Sequence, residues 1–271
     1  MKKLFVLLTL TALTLALIGC SSDEVSGTSE NGKTSTTEEN TENTETENTE
    51  NEEETKDNKV NVEKEEPKES ISLEITQQNE VAWVDSIGTV WVHSAAIFEN
   101  TGDEPVKIGE AQMNFKDQEG GILGTETWLY AVPDIVLPGQ KAFITESTFL
   151  DGINDPSLFK ETSYNFDYGK TGEDPYLMET SGVKGFPGDE YSPYTVTGVV
   201  KNTTDKKHEF ISVSAALYAE DGSLLGILDG SVDVGVAPGS EAGFELFYPE
   251  IPVEYGNQVV SVEVLAYGWD F

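Results

Sequence analysis

Cys20 is the residue whose chemistry is most distinctive, because it is the one cysteine of the chain. Its thiol is a nucleophile that can form a thioether. The small Gly19 before it leaves room for a peptidase at the bond between the two residues. With one cysteine an intramolecular disulfide is impossible, so Cys20 calls for another explanation. The segment that leads to Cys20 supplies one.

Met1–Gly19 has the pattern of a signal peptide. Lys2 and Lys3 form a basic start, and Leu4–Ile18 is almost wholly apolar. A stable membrane-spanning helix needs roughly 20 apolar residues, so this stretch is short for a permanent span. The pattern predicts a removable signal peptide over residues 1–19. An uncleaved signal anchor, with Cys20 as a buried apolar residue, is the alternative.

The end of this segment, Leu17, Ile18, Gly19 and Cys20, resembles the lipobox of bacterial lipoproteins. The resemblance implies that a signal peptidase recognises Leu17, Ile18 and Gly19 and cuts before Cys20. It implies that Cys20 then carries an S-diacylglyceryl group and an N-acyl group, such as palmitate. The membrane would thus be a partner, held through lipid, since firm anchoring takes more than one acyl chain. The implied location is the extracytoplasmic face of a bacterial cell membrane, expected to be Gram-positive.

Residues 20–70 are predicted to be a disordered linker. They are rich in Glu, Asn and Thr, with a loose repeat over Glu38–Glu45 and few apolar residues. Such a segment cannot bury enough apolar surface to offset the entropy lost on ordering. A flexible chain of about 50 residues spans roughly 40 Å, enough to hold a folded part away from the lipid head groups. An acidic interaction tail is the alternative function.

The chain is strongly acidic, with a formal net charge of −34 at pH 7. Acidic residues outnumber basic ones both in the linker and in the remainder. The negative electrostatic potential around such a chain opposes binding to nucleic acid and to anionic lipid. We therefore expect no nucleic-acid partner, and a membrane attachment that depends on lipid rather than on a basic patch.

Residues 71–271 contain an internal repeat of about 100 residues. Asn100-Thr101 in the first half corresponds to Asn202-Thr203 in the second. Later in each half, Pro138-Gly139 corresponds to Pro238-Gly239. The repeat predicts two similar domains, residues 71–172 and residues 173–271, with the boundary in Gly169–Pro175.

Apolar residues in this region recur at every second position, which is typical of strands. In Ile211–Tyr218, the residues Ile211, Val213, Ala215 and Leu217 share one face. Val259–Tyr267 alternates in the same way. Short alternating segments separated by Gly, Pro, Asn and Asp predict an all-β fold of two tandem immunoglobulin-like β-sandwiches.

Three segments and one aromatic residue of the second copy stand in an order found in a known domain family: Thr197–Thr203, Ala216–Gly222, Ala237–Gly239 and Phe244. They resemble the FxLYD domain of bacterial surface lipoproteins. Two positions depart from the family motif, since Ala215 replaces the leading aromatic and Ala219 replaces the aspartate. The first copy is more distant. The resemblance implies an immunoglobulin-like sandwich and a cell-surface location, and it carries no catalytic residues.

The remaining reactive side chains do not form a recognisable catalytic set. His93 falls in a predicted strand and His208 in a charged turn, and neither is near a serine motif. One cysteine and two histidines cannot make a zinc cluster, and no phosphate-binding glycine loop is present. We therefore predict no catalytic residues, no metal ligands and no cofactor.

Calcium is the one ion that the composition leaves open, because it takes oxygen ligands and extracellular sites can be weak. The candidate loops are Asp151–Asp155, Glu173-Asp174 and Asp189-Glu190, none with EF-hand spacing. Ordinary solvated acidic loops are the alternative.

The chain contains 4 Trp, 10 Tyr and 12 Phe. Trp83, Trp91, Trp128 and Tyr130 lie in the first domain, and Tyr267 and Trp269 near the end. Most are expected in sandwich cores, although exposed aromatics are enriched at binding sites.

The sequence therefore favours a non-enzymatic surface lipoprotein whose two domains act as a binding or spacer module of the cell envelope, with an unidentified envelope protein or glycan as partner. The alternative is an accessory protein that binds a solute or a wall glycan in a concave, aromatic-lined site. A hydrolase is the least favoured reading.

Overall fold

A computed structural model describes residues 71–269 of the chain, so the predicted signal peptide, Cys20 and the linker lie outside the described residues. The all-β, sandwich-type fold is confirmed. The strands before residue 171 are β1 Leu73–Val84, β2 Val90–Asn100, β3 Val106–Asp117, β4 Ile122–Leu129, β5 Ile135–Val136, β6 Lys141–Phe149 and β7 Phe159–Lys170. Those after it are β8 Glu179–Pro187, β9 Tyr194–Lys201, β10 Ile211–Tyr218, β11 Leu224–Val232, β12 Glu241–Leu246 and β13 Ser261–Gly268.

Strands β1–β7 form what we call the first sandwich. One sheet has the order β1-β2-β6, and the other has β4-β3-β5 with β7 also paired to β3. All of these pairs are antiparallel. Phe98 from the first sheet and Phe115 from the second are fully buried in one shared core.

Strands β8–β13 form the second sandwich, with sheets ordered β12-β9-β8 and β11-β10-β13. The strand order repeats that of the first sandwich: β8-β9-β12 corresponds to β1-β2-β6, and β11-β10-β13 to β4-β3-β7. The core contains Val200, Leu217 and Leu246, all fully buried. No sheet of the described region combines strands from both sandwiches.

The Pro-Gly turns occupy matching places in the two sandwiches. Gly139 has φ +73° and Gly239 has φ +75°, a left-handed conformation that favours glycine. The backbone N–H of Gly139 donates to Asn100 O, and that of Gly239 donates to Asn202 O, both at 2.8 Å. The residues that revealed the sequence repeat thus join the end of one strand to a distant turn.

A third apolar cluster joins the sandwiches. Ala95, Ile97 and Phe143 of the first sandwich pack with Ala216, Leu224 and Ile227 of the second. Strand β2 is therefore buried on both faces, because its even-numbered residues enter the core of the first sandwich and its odd-numbered residues contact the second. This junction positions the candidate site described below.

Helical structure in residues 71–269 is limited to a 3-10 turn at Pro156–Leu158 and one α-helical turn, α1, at Val253–Gly256. None of the described helices has the length and apolar character needed to cross a bilayer. The short α1 turn lies between β12 and β13, where it forms one wall of the candidate site.

Candidate functional site

Three aromatic side chains form a row at one end of the β1-β2-β6 sheet. Trp83 pairs with Trp91 across β1 and β2, and Trp91 pairs with Phe149 across β2 and β6. Residues directly opposite on neighbouring strands project to the same face. The Trp83 and Trp91 rings stack at 6.3 Å between centroids and 21° between planes, while Phe149 meets Trp91 edge-on at 6.2 Å.

The turn between β1 and β2 fixes this row. The Asp85 carboxylate accepts hydrogen bonds from the backbone N–H groups of Ile87 (3.0 Å) and Thr89 (2.8 Å), and from the indole Nε1 of Trp91 (3.0 Å). Desolvation opposes ionisation, but these hydrogen bonds outweigh it and lower the pKa of Asp85. Asp85 is therefore an ionised acceptor that orients Trp91.

The second sandwich provides the opposite wall of a cleft. Glu190 and Tyr191 come from the β8–β9 loop, and Glu250, Ile251 and Glu254 come from the connection between β12 and β13. Together with Trp83, Trp91 and the β1–β2 turn, they enclose a cavity of about 460 Å³. Pockets that bind small molecules commonly have volumes of roughly 300–1,000 Å³ and lie at domain interfaces. We refer to this cavity as the cleft.

The charge of the cleft is entirely negative among the described residues that line it. Asp85, Glu190, Glu250 and Glu254 contribute four carboxylates, with no lysine or arginine beside them. The Oε2 atom of Glu250 is buried and has no hydrogen-bond partner within residues 71–269. A buried carboxylate oxygen without a donor is costly, and this oxygen lies beneath the surface of the cleft wall.

His93 lies at the junction, on the same face of β2 as Trp91. Its Nδ1 is 2.8 Å from Ser147 Oγ, and Ser147 Oγ donates in turn to the carbonyl of Glu250 at 2.5 Å. Because the hydroxyl proton is directed to Glu250, Nδ1 must carry the ring proton. Nε2 is buried without a partner among the described residues.

The pairing of Ser147 with His93 superficially matches a nucleophile and its base. Both side chains are buried, His93 at 0% exposure and Ser147 at 5%. Burial lowers the pKa of His93 to about 3, so the ring is a poor proton acceptor. His93 and Ser147 therefore have a structural role, because their hydrogen bonds link the first sandwich to the Glu250 carbonyl of the second.

Two further carboxylates lie at the junction. Glu146 accepts hydrogen bonds from Tyr248 OH at 2.7 Å and from the Ser147 N–H at 2.8 Å. Burial raises the pKa of Glu146, although those hydrogen bonds oppose the shift. Burial likewise raises the pKa of Asp229 to about 6, against the effect of a 2.5 Å hydrogen bond from Ser214 Oγ.

The other residues singled out in the sequence lie elsewhere. His208 is buried, with Nε2 3.0 Å from Thr204 Oγ1 and Nδ1 3.2 Å from the carbonyl of Trp269. Trp128 and Tyr130 are exposed at 72% and 52% respectively, on either side of the buried Leu129. Residues 71–269 contain no group of three or more His, Cys, Asp or Glu side chains placed to hold a metal ion, and the acidic loops proposed for calcium are no exception.

Sequence reasoning noted Trp83 and Trp91 as aromatics of the first domain but did not identify the cleft. One signal was available, because the turn at residues 85–89 places Trp83 opposite Trp91 in the hairpin. The opposite wall comes from residues more than 90 positions away. No local pattern brings those residues together.

No family model matches the sequence, and no curated protein matches it. Among solved structures, the chain is similar to a calcium-binding mutant of β-glucuronidase 2 from Bacteroides uniformis, with 13% sequence identity and a TM-score of 0.18. The similarity covers 64% of this chain and 24% of that one, so the chain spans about a quarter of the enzyme's length. A similarity this slight says nothing about what the cleft does.

Proposed function

We propose that the chain is a lipid-anchored protein of the extracytoplasmic membrane face whose two β-sandwiches form a non-enzymatic binding module, with the cleft between them as the ligand site. The observation that carries the binding function is the cleft itself. It is concave and about 460 Å³ in volume, and both sandwiches contribute aromatic or carboxylate side chains to it. A simple spacer has no need of such a site.

The anchor and the binding module rest on different residues. The anchor is supported by Leu17–Cys20 and the apolar segment before them. The resemblance of the second copy to the FxLYD domain of surface lipoproteins supports the same location. The non-enzymatic character is supported by the burial of Ser147 and His93, which keeps this serine–histidine pair out of reach of a substrate.

A thermal-shift screen tests the binding function. The panel consists of organic cations, amino acids, neutral sugars and chitooligosaccharides, each added to the lipid-free mature chain. A ligand that binds only the folded state raises Tm, by an amount that grows with its concentration over Kd. We expect at least one compound to raise Tm in the wild type and to lose this effect in Trp83→Ala.

Trp128→Ala is the matched control, because Trp128 is an exposed tryptophan outside the cleft. The Trp128→Ala variant should show the same ligand-induced rise in Tm as the wild type. If no compound stabilises the wild type, or if Trp83→Ala responds as the wild type does, the cleft is not the ligand site and the proposal fails.

A further inference from the structure

We propose that the ligand of the cleft is a small organic cation, a substituted ammonium ion that carries short apolar groups. The inference rests on the proposed ligand-binding function and specifies the chemistry of its ligand. It follows from three properties of the cleft: the aromatic faces, the unbalanced negative charge, and the hydrogen-bond acceptors that line it.

The aromatic faces provide the first argument. Trp83 and Trp91 line the cleft from one side and Tyr191, which is 79% exposed, from the other. A cation held over the face of tryptophan or tyrosine is attracted by the ring quadrupole, and such sites bind quaternary ammonium groups. Trp83 and Trp91 are stacked on each other across the strands, so they form one continuous aromatic surface rather than two isolated rings.

The charge provides the second argument. Four carboxylates line the cleft and no basic side chain among the described residues neutralises them there. A bound cation would offset this charge, which the residues that line the cleft leave unbalanced.

The hydrogen-bonding groups provide the third argument. The indole N–H of Trp91 donates to Asp85, so that donor is already used within the protein. An ammonium group needs only acceptors or aromatic faces, and the carboxylates and rings of the cleft supply both.

The apolar residues that line the cleft indicate which groups the ammonium nitrogen carries. Val84, Ile87, Ile251 and Val253 add apolar surface beside the tryptophans. A hydrated inorganic cation gains nothing from such surface, while methyl or short alkyl groups on nitrogen bury against it. The combination selects an alkylated ammonium ion over a metal ion.

The test compares choline with its neutral carbon isostere, 3,3-dimethylbutan-1-ol, and with chitotriose, by calorimetric titration of the lipid-free mature chain. We expect choline to bind at least about tenfold more tightly than the isostere, since the two differ in little besides charge. Trp83→Ala should weaken choline binding about tenfold, while Trp83→Phe should retain part of it.

A second variant tests the contribution of the negative charge at exposed positions, where a replacement should not disturb the fold. Glu190 and Glu254 are exposed, so the double replacement Glu190→Gln with Glu254→Gln should leave the melting curve unchanged and weaken choline binding about threefold or more. Glu179→Gln with Glu241→Gln, two exposed acids outside the cleft, is the matched control and should bind choline as the wild type does.

Three results would overturn the inference. If the isostere binds as tightly as choline, or if chitotriose binds and choline does not, the cation assignment is wrong while the proposed binding function stands. If choline does not bind at 10 mM, the inference also fails, and the proposed function is then decided separately by the wider thermal-shift screen.

Discussion

Asn100 in the first sandwich and Asn202 in the second make the same hydrogen bonds to their own domains. Asn100 Nδ2 donates to the carbonyl oxygens of Glu104 at 2.9 Å and Val136 at 2.8 Å. Asn202 Nδ2 donates to those of Lys206 at 2.6 Å and Val236 at 2.8 Å. Each asparagine thus ties the turn that follows its strand to the segment before the Pro-Gly turn.

Replacing Asn202 should therefore destabilise the second sandwich. Asn202 is fully buried, and Asn202→Ala removes one of the two donors to each of these carbonyls and the Oδ1 acceptor of the Thr204 N–H. We expect the free energy of unfolding to fall by about 2–3 kcal/mol in chemical denaturation. Asn257→Ala is the control, because Asn257 is exposed and should change stability by less than about 0.5 kcal/mol. Equal effects of the two replacements would contradict the role given to Asn202.

The contact of Gly226 with His93 predicts a steric requirement at the junction. A Cβ at Gly226 would lie 2.8 Å from His93 Nε2 and 3.3 Å from Ile251 Cγ2. Gly226→Ala should therefore lower stability by about 1–3 kcal/mol, as overpacking does. Gly243→Ala is the matched strand control, since its Cβ would meet only Gly198 O at 3.8 Å. A neutral Gly226→Ala, measured by the same denaturation, would show that the junction is loosely packed.

Asp229, which is half-buried, and the buried His93 give opposite pH dependences at the junction. The pKa of Asp229 is raised to about 6, so the folded state binds a proton more readily than the unfolded state does. This favours folding at low pH, and the contribution is lost as the pH rises through about 6. The pKa of His93 is lowered to about 3, so its protonation favours unfolding as the pH falls below its ordinary value near 6.5.

Asp229→Asn isolates one of these contributions. Asparagine cannot titrate, so the variant lacks the contribution that protonation of Asp229 makes to the free energy of unfolding below pH 6. That contribution is on the order of 2 kcal/mol. Relative to the wild type, it should gain stability at pH 7.5 and lose that advantage by pH 4.5. Denaturation curves at the two pH values measure the difference. If the difference in free energy of unfolding between Asp229→Asn and the wild type is the same at both pH values, Asp229 titrates normally.

How far the sequence predicts this structure is clearest in β10. The alternation of Ile211, Val213, Ala215 and Leu217 correctly identifies the face that enters the sandwich core, and all four are fully buried. The alternation does not identify what the other face contacts, and Ser214 and Ala216 are buried there. The reason is tertiary, because Ala216 contacts the first sandwich in the cluster that joins the two.

The same limit applies to the cleft. The all-β class and the repeat follow from local periodicity and turn residues, which a single sequence displays. The cleft depends on how two domains meet, and Tyr191 and Glu250 carry no local signal of their distance to Trp83. Val260 shows a smaller limit, because the alternation predicts it in the final strand, whereas it precedes β13 and is 63% exposed.

Cys20 provides the test of the anchor. If its thiol carries the lipid, Cys20→Ala should abolish processing of the signal peptide and membrane retention of the mature chain. Cell fractionation and metabolic labelling with palmitate measure both effects. Ser21→Ala is the matched control and should be processed and retained normally. Normal membrane fractionation of the Cys20 variant would contradict the lipoprotein assignment.

The most direct test of the binding function uses the four tryptophans as reporters in a ¹⁵N NMR titration of the lipid-free mature chain. Choline, amino acids and chitotriose are added in turn, and the indole N–H signals are followed. The account predicts that a binding compound shifts the signals of Trp83 and Trp91 together and leaves that of Trp128 in place. Shifts confined to Trp128 or Trp269, or no shift of Trp83 and Trp91 with any compound, would contradict it.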